Sequence, residues 1–169
     1  QVAAFLPAQI TAFATEDIFA MSAAQLAALT TDQIPALESG DLPSLNTVQL
    51  GAFSTAQMRA IASDDVVGFT TTQIAKLTGA QLAAISTTSV AALLTEQVAA
   101  ITSTQISELT PSQIAALETR HIVVIPSNRF GALTTAQVVA FDTADMPLLS
   151  SAQVAALGTA QIGAIETRD

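Results

Sequence analysis

Read in steps of eight from Gln1, the chain repeats one pattern of polar and apolar positions from end to end, with no insertion or deletion. The first place of the octad is Gln in 14 of 22 cases and Asp in 5. The second place is always apolar, from Val2 and Ile10 to Ile162, and so is the fifth, from Phe5 and Phe13 to Ile165. The fourth place is Ala in 15 of 21 octads, and the seventh is Ser or Thr in 17 of 21. Apolar places three residues apart share one face of a helix but lie on opposite faces of a strand, so the pattern is helical. Ala and Gln, both good helix formers, point the same way.

One unbroken helix conflicts with the period. Eight residues at about 100° each overshoot two turns by roughly 80°, so the apolar stripe would wind around the rod. Six prolines oppose it further. The pattern instead predicts one short helix per octad, restarted each time at a capping box. Thr30-Thr31-Asp32-Gln33, Thr70-Thr71-Thr72-Gln73 and Thr134-Thr135-Ala136-Gln137 all have the required form. In that motif the Thr hydroxyl accepts from the third amide, and the Gln side chain returns to the cap's own N–H. Pro7 and Pro111 then fall at the first helical position, where proline is tolerated best. Pro35, Pro43 and Pro147 fall deeper, which predicts single turns in those octads. Helices this short are unstable alone in water and must be held by neighbours stacked on their Ile/Leu face. The expected fold is therefore all-α: a repeat solenoid of short capped helices, forming one domain over residues 1–169.

A longer period sets the expected coil. Asp17, Asp41, Asp65 and Ser89 are 24 residues apart, and so are His121, Asp145 and Asp169. This predicts three octads per coil, with an extra octad at 110–117 causing a local bulge or phase shift, and an irregular zone at 118–130. Coils stacked about 8–10 Å apart would make a rod roughly 60–70 Å long. The octads could also superhelix without closing every third one, the 24-residue mark then recording a surface stripe. Handedness stays open.

Charge narrows the function. Five basic residues against fourteen acidic ones give a net charge of −9. That balance opposes nucleic-acid binding and a polybasic membrane anchor. Cysteine is absent and there is one His, which excludes disulfides, thiolate metal sites and multi-histidine sites. Mean hydropathy is +0.52, yet Gln, Ser, Thr or Gly interrupts every uncharged stretch, so a soluble chain without a membrane span is expected. The opening Gln-Val-Ala-Ala carries no targeting signal and suggests a mature product or a piece of something longer. No titratable groups converge as a catalytic site needs, and His121 lacks a Ser or Cys partner, so no enzyme and no cofactor are expected.

The candidate positions each have a structural reading and a functional one. The Gln column, including Gln25, Gln33, Gln73, Gln81 and Gln137, is expected to cap its own helices or to bond between coils, rather than to form a ligand ladder. The Asp residues are expected near helix N-termini, the alternative being a calcium stripe with Glu16, Asp64 and Glu166. The Thr and Ser columns are explained by capping, the alternative being a hydroxyl array for ice or glycans. Arg120, His121 and Arg129 cluster beside the extra octad, either as a docking patch for an acidic partner or as surface variation countered by Glu118 and Glu166. Phe5, Phe13, Phe53, Phe69 and Phe141 occupy the second core place, with Phe19 and Phe130 beside it.

The runs Leu29-Thr30-Thr31-Asp32-Gln33-Ile34, Leu133-Thr134-Thr135-Ala136-Gln137-Val138 and Glu166-Thr167-Arg168-Asp169 resemble the octad repeats of very large bacterial secreted or cell-surface proteins. The resemblance spans essentially the whole chain and is poorest over 120–130. It implies an extracellular or cell-surface scaffold with a role in adhesion, surface coating or spacing, and it brings no catalytic motif. The expected function is thus a non-enzymatic stalk, fibre or filament module. Val2, Phe5, Ile162 and Ile165 continue the apolar columns to both ends, so end-to-end self-association is expected, the alternative being a fragment cut from a longer array. The alternative is an adhesin whose one face contacts a protein, a glycan or a calcium-dependent partner.

Overall fold

The computed structural model describes residues 2–166, the last without its side chain. Gln1, Asp169 and most of the Glu166–Asp169 run therefore lie outside the described residues. Every regular element described is a short helix or a single 3-10 turn, and each octad contributes one. The cap falls at the sixth octad place. Ser22, Asn46, Ser54, Thr70, Thr78, Ser86, Thr102, Thr110, Thr134 and Ser150 each accept from the amide three residues on. Such a cap is worth about 1 kcal/mol to its helix. At Thr30 only the Gln33 half of the expected box closes, because the octad continues as the 3-10 turn Ile34–Ala36.

Proline explains most of these turns. Ile34–Ala36, Leu42–Ser44 and Met146–Leu148 each carry it at the third octad place, where the missing N–H prevents an α-type bond four residues back. Val66–Gly68 has no proline. Its cap place is Ala62, which has no side-chain acceptor, and Gly68 is a weak helix former. Glycine is needed there for another reason: a Cβ would run into the backbone carbonyl of Ser39 in the preceding coil. Pro7 and Pro111 open the helices Pro7–Thr11 and Pro111–Ala115.

Helices stack on helices 24 residues away. Thr71–Lys76 packs between Thr47–Gly51 and Thr95–Ala100, and Gly79–Ala84 between Thr55–Ala60 and Ser103–Glu108. Three octads therefore make one coil. The helix Pro111–Ala115 packs in the same register, between Thr87–Ala92 and Thr135–Val139. No octad is inserted into the stack there. The step from Ser89 to His121 is one coil plus one octad, so the residues that replace Gln move to the next corner while the coil runs on.

The core is the inside of this solenoid. The second and fifth octad places fill it, with Leu26, Leu42, Met58, Val66, Leu82, Ile122 and Phe130 fully enclosed. The rings of Phe130 and Phe141 stack at 6.0 Å. Phe53, Phe69 and Phe141 are buried as the pattern predicts. Phe5 is 38% exposed, because no coil lies beneath it among the described residues, although its ring meets Phe13 edge-on. Phe19, at the outward third place, is also exposed.

Candidate functional site

The polar chemistry of the chain is concentrated where consecutive coils meet at their corners. A Gln at the first octad place is the third residue of its helix, so its side chain points back along the helix end. There Oε1 accepts the N–H of the cap residue, as from Thr70 to Gln73 at 2.8 Å and from Thr102 to Gln105 at 2.8 Å. The other side of the carboxamide reaches the preceding coil. Nε2 of Gln73 donates to the carbonyls of Leu42 and Leu45, both at 2.7 Å, and Nε2 of Gln105 to those of Ile74 and Leu77 at 2.6 and 2.7 Å. Gln33, Gln57, Gln81, Gln97, Gln113, Gln137, Gln153 and Gln161 reach the carbonyls 31 and 28 residues back in the same way.

This geometry solves the problem that very short helices create. Each helix end leaves carbonyls without an intrahelical partner, and burying one unpaired costs about 1–3 kcal/mol. The Gln fills one donor and two acceptors at once, tying the start of one helix to the end of another in the coil below. Among the described residues, no buried side-chain nitrogen or oxygen lacks a partner. Gln33, Gln73, Gln81 and Gln137 are buried clamps of this kind. Gln25 caps Ser22 but is exposed, with no coil beneath it among the described residues.

Where Gln is replaced, the joint changes chemistry. Asp is shorter and has no N–H, so it cannot donate to the carbonyls below. Asp41 and Asp145 instead accept from the hydroxyls of Thr15 and Thr119 at 2.8 and 2.7 Å, and Asp65 accepts from the Ser39 amide at 2.9 Å. Each of these partners opens the helix or turn of the preceding coil. Asp17 receives only its own cap amide, from Ala14. Burial, together with Asp64, Glu38 and Asp41 nearby, pushes the Asp65 carboxyl above the usual range against the Ser39 bond. Among the described residues no three His, Cys, Asp or Glu side chains gather as a metal site would need.

The basic cluster does not form one exposed patch. His121 is 0% exposed and stands in for Gln: Nδ1 accepts the Glu118 amide at 3.1 Å, and Nε2 donates to the Leu93 carbonyl at 2.8 Å. Those partners assign the neutral tautomer. Burial holds its pKa below the ordinary imidazole value. At the next corner Arg129 donates from Nε to the Ile101 carbonyl at 2.9 Å and is half-buried. Arg120 pairs with Glu118 at 2.7 Å and reaches the Ala91 carbonyl, and this hydrogen-bonded guanidinium holds the Glu118 carboxyl below its usual range. Arginine and histidine in a glutamine column were therefore signs of an alternative clamp, which their register alone carries.

Residues 2–39, 34–71, 42–79, 58–95, 74–111 and 138–169 each match the model of the ALTTAQ repeat. The chain belongs to the ALTTAQ-repeat family. The starting points of these matches differ by multiples of eight, so the ALTTAQ repeat keeps the octad register. Its last residue is the clamp: Ala132-Leu133-Thr134-Thr135-Ala136-Gln137 spells the motif in full, with Thr134 as the cap and Gln137 as the inter-coil donor. The matches leave out 112–137, the stretch that holds Arg120, His121 and Arg129. No curated protein is significantly similar to the chain. Among the described residues, no helix of this ALTTAQ-repeat protein is long and apolar enough to cross a membrane.

Proposed function

We propose that this ALTTAQ-repeat chain is a non-enzymatic structural module of a bacterial extracellular or cell-surface assembly, a stalk or filament segment extended by stacking coil on coil. The observation that carries the reading is the repeated joint. The same carboxamide clamp recurs at corner after corner, so a coil offers its neighbour the surface it receives from the one before. The first described coil supports this most directly. Gln9 and Gln25 hold only their own caps there, and Phe5, at a core place, is 38% exposed. A further coil, from the same polypeptide or from a second copy, would engage those carboxamides and cover the Phe5 ring. Among the described residues the buried polar side chains spend their donors on backbone carbonyls of the adjoining coil, which favours a scaffold.

The test is negative-stain microscopy of the purified chain over a concentration series, alongside Gln9→Glu/Gln25→Glu. The expected result is rods that lengthen with concentration, and a double variant that stays short because its carboxylates repel the carbonyls they would meet. Rods of one length at every concentration, unaffected by the substitutions, would refute stacking between copies. A second reading, contact with a partner through one face, is favoured by the corner that carries Asp41 and Asp65, where Glu38 and Asp64 add negative charge. Retention of the rod by a basic partner but not by a neutral one would support it.

A further inference from the structure

His121 and Arg129 stand at the only two consecutive octads in which neither carries Gln. Each donates to one carbonyl of the coil below where a glutamine donates to two. With the Arg120 bond to the Ala91 carbonyl, the two octads at 118–133 hold the coil below through three such bonds where two glutamine octads use four, and one of the clamps is an imidazole. The Glu118 amide has only a proton to offer, so Nδ1 of His121 must be bare, and Nε2 carries the hydrogen given to Leu93. A second proton on Nδ1 would set donor against donor where the glutamine octads keep an acceptor oxygen. The ring has no exposed surface through which water could solvate the new charge.

The surrounding charges do not offer the imidazolium a free partner. On its own helix, Thr119–Ile122 and the preceding cap, Glu118 and Arg120 are paired with each other. Beneath it, helix Thr95–Ala100 brings Glu96, which is exposed and accepts from the Thr95 hydroxyl. Helix Thr87–Ala92 brings no charge. From the coil above, Asp145 accepts the Thr119 hydroxyl through Oδ1.

We propose that His121 is an acid-sensitive clasp between consecutive coils: protonation breaks the Glu118 contact and loosens 118–125 from Leu93, while the glutamine corners do not titrate. The rod then has one joint that yields under mild acid. Sign follows from geometry, since the native site admits only the neutral ring. The contribution is complete above the ordinary imidazole range near pH ~6.5 and is lost as pH falls toward the lower native value.

The test uses the intact chain and His121→Gln between pH 7.5 and 5.5. Because His121 is the only histidine, its imidazole resonances report the titration without ambiguity. The expected result is a midpoint below ~6.5, with hydrogen-exchange protection at Glu118, Ile122 and Ile125 falling over the same interval. The melting temperature should drop by about 3–5 °C for each tenfold weakening of proton binding, and His121→Gln should remove that drop. An ordinary midpoint, protection that does not change with pH, or the same acid loss in His121→Gln would overturn the proposal. Should that variant fold poorly, the titration and exchange of the natural chain decide alone.

Discussion

Replacing Gln105 with Leu isolates what one clamp contributes. Gln105 is 3% exposed and makes three bonds through its carboxamide: from the Thr102 amide at 2.8 Å, and to the carbonyls of Ile74 and Leu77 at 2.6 and 2.7 Å. Ile74 keeps part of its satisfaction, because its carbonyl also accepts from the Leu77 amide at 3.3 Å. The Thr102 N–H and the Leu77 carbonyl are left without a partner. At about 1–3 kcal/mol for each group orphaned, the substitution should cost about 2–6 kcal/mol, a large part of the ~5–15 kcal/mol that holds an ordinary domain. Gln25→Leu is the internal comparison. It removes only the bonds from the Ser22 amide and hydroxyl at an exposed site and should cost under about 1 kcal/mol. Urea unfolding followed by circular dichroism measures both, with an unchanged slope confirming that the cooperative unit is intact. Gln105→Glu adds a sign test. Its second oxygen would face the two carbonyls as an unpaired charge, so its native pKa must rise and its loss should exceed that of the Leu variant at pH 7. The deficit should shrink as pH falls through the raised value, when the carboxyl becomes a donor. Equal costs for Gln105→Leu and Gln25→Leu, or a Glu variant insensitive to acid, would refute the clamp.

Three further outcomes test the rest of the architecture. Ile74→Asp should lower stability by at least about 3 kcal/mol, because Ile74 is 1% exposed and the new charge has no partner in the core; an unchanged melting curve would remove Ile74 from it. Gly68→Ala should destabilise by about 1–3 kcal/mol, since the added methyl strikes the Ser39 carbonyl, which can move only with its coil; a neutral result in urea would show that the coils have room to part. Asp65→Asn should raise the urea midpoint at pH 7. The native carboxyl binds its proton more tightly than the unfolded one, so the ionised form costs stability, and that cost disappears as pH falls through the native value. An advantage that persists unchanged at pH 3.5 would show that charge is not its origin.

Local features were legible in the octad because their causes lie within a few residues. The cap at place six and the Gln at place one are three residues apart, so the box at Thr70 and Gln73 can be seen without knowing what surrounds it. The prolines behaved likewise: Pro43 and Pro147 forbid an α-type bond wherever the chain goes, and single turns result. The coil of three octads showed through the 24-residue spacing of Asp17, Asp41 and Asp65, although the same spacing was open to a stripe that never closes. Contacts between helices 24 residues apart resolve that choice.

What the tertiary structure decided is where the other half of each side chain goes. A carboxamide has an acceptor and a donor on opposite sides; the acceptor answers to the cap of the same helix, three residues back, but the donor answers to whatever carbonyl the stacking brings within reach. That partner is 28 or 31 residues back, at the end of the helix before the one it stacks on, and no short-range pattern marks it. The same reason hid the role of His121. In the sequence it is a basic residue between two arginines, suited to a surface patch; in the coil it occupies a buried site that presents one amide N–H and one carbonyl, and of the two protonation states the neutral imidazole fits it. The sequence alone thus determined the repeating unit and its caps, where bonding is local. The solenoid's corners decided which substitutions are joints and how they hold, because those bonds exist only between coils.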